Sequence, residues 1–284
     1  MPGVELRERR IYFGDRFSVG FQRTLRIPDD GRTYPLPPGL GPFPIHRVEE
    51  YAGRLPPGWR ERGGFFIALY RREALWLAFS GARWKPNAVK VGIGEINAIT
   101  GDDWDQELHA VPQDYLVCPP QPWLDGIHTG SASIRQFVAA PLGAGKTVEG
   151  RLTGAERSGG IQFAVFEPKQ GVFPDAPPPD TGRGPFPQMA PAMGIAAGGQ
   201  VRQKIYPDEF GIDTWDASRS LSTVVHILNA EQYAAVTGLP MPATPIDVHT
   251  YIERGFPWFE LYDEDAGDLP VSPRLSRVEP LEEP

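Results

Sequence analysis

Proline and glycine punctuate this chain so densely that long helices have little room. Each occurs 32 times among 284 residues; proline removes a backbone donor and glycine costs entropy to order. Short strands joined by turns are what such spacing favours. The stretches between the breakers agree. Apolar and polar residues alternate from Phe17 to Ile27, then through Val89, Val91 and Ile93, and again through Ile161, Phe163 and Val165, which is the period of half-buried strands. Further strands are expected over Ser133–Ala140 and Thr147–Thr153. Gly64–Ser80 is the most apolar part of the first half, and Arg71, Arg72 and Glu73 at its middle predict two strands turning at the charges. The proline-rich arm Tyr34–Pro44 lacks the donors a central strand needs and belongs at a sheet edge.

Near the end, Thr223–Leu228 reads as a strand, followed by a short helix over Glu231–Val236, capped by Asn229 and stopped by Gly238. A second, from Thr244 to Gly255, has the same grammar. A chain of this length holds one large domain or two ordinary ones. The paired prolines Pro119 and Pro120 place a boundary near residue 120. The expected fold is mainly β: two antiparallel sandwich-like or barrel-like units, residues 1–120 and 121–262, with two short helices late in the second and an acidic, flexible tail over 263–284.

A net charge of −8 and a pI near 5.2 argue against nucleic-acid binding, which needs clustered Lys and Arg. No stretch approaches the ~18 uninterrupted apolar residues of a membrane span. Cys118 is the single cysteine, so there is no intrachain disulfide framework. Its apolar setting predicts a buried, inert thiol, and with no apolar signal core at the N-terminus a reducing cytoplasm is the expected location.

Several strings bear on chemistry. Ala140-Pro-Leu-Gly-Ala-Gly-Lys-Thr147 fits a loose phosphate-loop pattern, in which Lys146 and Thr147 would meet phosphate. Such a loop needs a helix after it. The two glycines and period-two alternation of Val148–Gly154 predict a strand instead, which makes Pro141–Lys146 a turn; a helix over 148–158 would restore the nucleotide reading. Gly92 and Gly94 begin a dinucleotide-like string that Asn97 breaks. Asp125, His128, Ser131 and Ser133 gather acid, base and hydroxyls within nine residues, but without a nucleophile elbow. The five histidines are scattered, and His249 shares a helix face with Glu253. The acidic turn Gly101–Glu107, and Asp263, Asp265 and Asp268, could ligate Ca²⁺, although neither has EF-hand spacing. No other cofactor is implied.

The strings Pro120–Ile127, Arg135–Gly143 and Thr147–Glu149 resemble a family of bacterial and fungal hypothetical proteins, chiefly over residues 114–166. That resemblance implies no activity and transfers no catalytic residue.

The leading expectation for function is therefore a non-enzymatic binding or self-assembly protein. It would present the Pro/Gly-rich loop 168–193 and the aromatic residues Trp123, Phe173, Phe186, Trp215 and Trp258 to a protein partner or to its own copies. The competing expectation is a carboxylate-dependent hydrolase or carbohydrate-active protein, with Asp213 and Asp216 flanking a sugar-stacking Trp215. Nucleotide binding through residues 140–147 is the remote third.

Overall fold

A computed structural model describes residues 3–28, 30, 32–34, 36–130, 133–177, 200–240, 245, 250–251 and 267–279. The fold is mainly β, built from two facing sheets, neither of which closes into a barrel. The chain begins with a meander of β1 (Val4–Arg7), β2 (Arg10–Phe13) and β3 (Phe17–Thr24). The proline-rich arm and its flanks contribute β4 (Thr33–Tyr34), β5 (Gly39–Pro42) and β6 (His46–Arg47). As its composition predicts, β5 lies along an edge, pairing Pro42 with Gln22 and Gly39 with Thr24.

Two helical segments, a 3-10 turn over Val48–Arg54 and α1 (Pro57–Arg62), precede β7 (Phe65–Leu69) and β8 (Ala74–Gly81). The turn at Arg71–Glu73 does more than reverse the chain: β8 pairs with β3 in the first sheet, whereas β7 pairs with β6 in the second. Next come β9 (Asn87–Ile93), β10 (Ile96–Asn97), β11 (Leu116–Cys118), β12 (Trp123–Leu124), β13 (Gly126–Gly130) and β14 (Ser133–Val138). After α2 (Val148–Thr153) follow β15 (Ile161–Pro168), β16 (Gln200–Arg202), β17 (Trp215–Asn229) and α3 (Tyr233–Thr237).

The first sheet runs β1-β2-β3-β8-β14-β16-β4, and the second β10-β9-β15-β17-β7-β6. Each draws on both halves of the chain: β8 pairs with β14, and β9 with β15. The expected boundary at residue 120 is thus crossed by both sheets, and 1–120 and 121–262 are not separate sheet systems. Most pairs are antiparallel, but β17 with β7 and β16 with β4 run parallel. Every residue of β7, Phe-Phe-Ile-Ala-Leu, is buried, the pattern of a strand covered on both faces.

The sheets meet through the alternating residues. Phe17, Val19 and Phe21 of β3 and Leu75, Leu77 and Phe79 of β8 share one core with Val89 and Val91 of β9 and Phe163 and Val165 of β15. The Phe163 ring lies 6.0 Å from Phe13 and 6.1 Å from Phe21, which ties one sheet to the other. Burying each such side chain contributes roughly 1.5–3 kcal/mol. The outer face of the second sheet is also covered. Phe66, Ala68 and Leu228 pack under Val48, Leu55, Tyr233 and Val236, while Ala164 and Phe166 pack with Tyr115 and Trp215. Cys118 is free and buried, and burial pushes its thiol pKa well up.

The strings Ile134-Arg-Gln136 and Val201-Arg-Gln203 are alike, and they lie on or beside the paired strands β14 and β16. Both glutamines are buried and bridge a nearby backbone. Gln136 accepts from Ile27 N and donates to Leu25 O; Gln203 accepts from Asp125 N and donates to Trp123 O. Among the described residues no helix is long and apolar enough to cross a membrane.

Candidate functional site

The segment after β14 departs from the strand expected over Thr147–Thr153: α2 is a helix of six residues. The caps outweigh its internal glycine. The Thr147 side chain accepts from Gly150 N at the start, and Gly154 ends the helix at φ 74°. Strand, glycine loop and helix thus follow one another as in a phosphate loop, but the loop's anion is its own. The Glu156 carboxylate accepts from the amides of Gly143, Gly145 and Thr147 at 2.5, 3.0 and 3.0 Å, and from the Thr147 hydroxyl at 2.6 Å. A phosphate here would first have to displace Glu156. Lys146 is exposed.

Burial opposes ionisation of Glu156, yet the hydroxyl and the three amides outweigh it and hold the pKa down to about 2. A carboxylate depressed in the folded state adds stability above its unfolded pKa and loses it as pH falls through the folded one. Glu156→Gln is therefore expected to cost about 1–2 kcal/mol at pH 7, discounted because the group stays partly in water. Urea unfolding of both proteins should show that difference shrinking as pH falls from about 4.5 toward 2; a difference constant with pH would contradict the arrangement.

The loop matters because of what it roofs. β15 begins at Ile161, opposite Val225, so His226–Asn229 pair with β7 on one side only. Between this half-open end of β17 and the end of β14 lies a cavity of about 680 Å³, within the usual range for sites that enclose one small molecule. Leu69, Leu75, Ile127, Phe137, Ile161 and Ile227 supply apolar wall, and Lys146, Thr147 and Glu149 lie along the roof. Along β14 the side chains alternate: Ile134 packs with Ile27 and Leu36 on one face, whereas Phe137 belongs to the main core on the other. Arg135 falls on the side of Phe137 and lines the cavity.

Three basic residues, Arg71, Arg135 and Lys146, and three acids, Glu149, Glu231 and Glu279, line the cavity. Glu149 is buried and accepts from the amides of Arg157, Ser158 and Gly159. Glu279 pairs with Arg151, and Glu231 accepts from Asn229. Arg135 is only partly exposed, has a buried Nη1 without a hydrogen-bond partner, and makes no ion pair among the described residues. On the β17 side His226 is buried and stacked on Trp59, the rings 4.5 Å apart and 13° from parallel. Burial lowers its pKa to about 4, against the opposing pull of the Gly63 carbonyl, so the ring is neutral at pH 7. Its Nε2 lies 3.1 Å from that carbonyl, which can only accept. The proton therefore sits on Nε2 and leaves Nδ1 as an acceptor without a partner.

The other sequence candidates fall elsewhere. Trp215 is 1% exposed and donates from Nε1 to Asp208, so it is neither a surface residue nor free to stack on a sugar. Asp213 is exposed, and Asp216 accepts from the backbone and hydroxyl of Ser218. Trp123 is half-buried against Trp76 and donates to Asp125. Phe173 packs edge-on to Phe210, itself partly exposed. Phe186, Trp258, Asp263, Asp265 and His249 lie outside the described residues, as does most of loop 168–193. Asp268 accepts from Ile205 N and lies 3.7 Å from His128 Nε2. Asp125 is fully buried, and that burial pushes its pKa well up; its acceptor contact is with Trp123 rather than with His128, and Ser131 lies outside the described residues.

The dinucleotide-like string is a hairpin: Gly94 and Glu95, at φ 59° and 63°, join β9 to β10. The acidic turn brings Asp105, His109 and Asp114 together at metal-ligand spacing, but a cation of the chain already stands there. The Lys90 ammonium lies 2.5 Å from Asp105, 2.7 Å from Asp114 and 2.6 Å from the Glu107 carbonyl. His109 is raised by its hydrogen bond to Asp114.

What sequence reasoning missed is that β14 and the end of β17, about ninety residues apart and in different sheets, border one cavity; the one available signal was the alternation that puts Arg135 beside Phe137. Against known proteins, no family model, no curated protein and no solved structure matches this chain.

Proposed function

We propose that this is a binding protein for a small, largely apolar molecule, held in the cavity between β14 and the half-open end of β17. The observation that carries the reading is the cavity itself: a partly open recess of ligand size, walled by aliphatic and aromatic side chains with a few polar groups among them. Interiors are normally packed to crystal density, and native folds leave few voids. Arg135, which makes no ion pair among the described residues, and His226 both line the cavity. A ligand that fills the space gains from apolar burial and finds polar anchors already in position.

The test uses an uncharged environment-sensitive dye, 6-propionyl-2-dimethylaminonaphthalene. Its fluorescence should shift blue and saturate at one site per chain in the wild-type protein. Ile227→Trp, which adds bulk at the cavity wall, should weaken that binding at least about tenfold, equivalent to ~1.4 kcal/mol. An unchanged affinity in a variant with wild-type circular dichroism would remove the cavity as the site.

A further inference from the structure

Resting on that reading, we infer that the occupant is a carboxylate, an acid on an apolar body whose charged end is held by Arg135. A guanidinium removed from water without a counter-ion is costly, and folded proteins pair such groups or hydrogen-bond them. Here the pairing is missing on one side only. Glu149, Glu231 and Glu279, the acids that line the cavity, each have partners of their own. Arg135 makes no ion pair among the described residues, and this partly exposed side chain lines the cavity.

Its position is set by β-structure on both sides. Arg135 pairs with Ile127 of β13 and with Gln200 of β16, so the guanidinium is carried on a central strand rather than a loop. Its planar fork matches a carboxylate through two parallel hydrogen bonds. The apolar body of the ligand would then lie along Phe137, Ile127 and Ile227. Arg71 also lines this cavity, and of its three acids Glu149 is turned to backbone amides and Glu279 to Arg151.

Isothermal titration of the full chain with octanoate, octan-1-ol and octylamine, and with 2-naphthoate beside 2-naphthol, tests the inference. Each acid is expected to bind about tenfold or more tighter than its alcohol, and octylamine weakest of the chain-matched set. Arg135→Gln should abolish the preference for acid over alcohol while leaving alcohol binding within about twofold. Arg135→Lys, which keeps the charge but loses the fork, should retain part of it. Circular dichroism melts establish that the variants are folded; if Arg135→Gln is not, the Arg135→Lys comparison decides. Equal affinities for acid and alcohol, or tighter binding of octylamine, would overturn the carboxylate and leave the cavity reading standing. Failure of every compound, and of the neutral dye as well, would overturn both.

Discussion

Gly126→Ala is expected to cost about 3 kcal/mol or more, because the new methyl would have nowhere to go. A Cβ built on Gly126 falls 1.8 Å from the Arg135 carbonyl oxygen and 2.5 Å from its carbon. Both are backbone atoms of the paired strand, so no rotamer change relieves the clash. The strands must part where Gly126 faces Gln136. That displacement reaches the buried Gln136 bridge to Leu25 and Ile27, as well as the strand that carries Arg135. Gly53→Ala is the matched control: its Cβ meets nothing within 4 Å, and the change should lie within about 0.5 kcal/mol of neutral. Denaturant midpoints of the two variants make the comparison, and similar midpoints would contradict the close approach of β13 to β14.

The second large effect concerns Lys90. Its side chain is 1% exposed, and its ammonium satisfies Asp105, Asp114 and the Glu107 carbonyl together. Removing one member of a buried ion pair leaves the other uncompensated, which typically costs about 3–5 kcal/mol. Lys90→Ala is expected near the lower end, about 3 kcal/mol, because Asp105 remains about half exposed and water can screen it. The same geometry answers the Ca²⁺ question posed by the acidic turn. With an ammonium already among the carboxylates, millimolar Ca²⁺ should leave the melting temperature of the wild-type protein unchanged. A clear rise on adding Ca²⁺ would show that the cation displaces Lys90.

The β character of this chain was legible because it rests on local physics. Alternation marked the inner faces of β3, β9 and β15, the charges at Arg71–Glu73 marked a reversal, and the proline-rich arm could occupy only an edge. What local physics does not carry is which strand pairs with which. The turn after β7 sends the chain into the other sheet, β17 lies parallel to β7 across some 160 residues of sequence, and both sheets cross the boundary placed at residue 120. The helix α2 was misread because its internal glycine was weighted above its caps and above Glu156, which binds the loop amides from beyond the helix. Tryptophan was misleading in another way. Its size makes it an anchor in a core or on a surface, and only the fold shows that Trp215 is in a core, over Asp208.

For the site, the residues were visible but their circumstances were not. Arg135 lies within a string that reads as an ordinary strand, and His226 reads as a sheet-face histidine, which it is. Their interest lies in their surroundings: among the described residues Arg135 has no counter-ion and His226 Nδ1 no partner, and strands from different sheets bring both side chains to one cavity. Absence of a partner is a tertiary property, because the sequence offers 36 Asp and Glu residues as partners and only the fold selects among them.

The most direct measurement of the central claim is a crystal structure of the protein with octanoate. The account predicts ligand density between β14 and the end of β17, with the carboxylate at hydrogen-bond distance from the Arg135 guanidinium and the chain against Phe137 and Ile227. Density for the acid at another place on the molecule, or an alkyl end directed at Arg135, would contradict it.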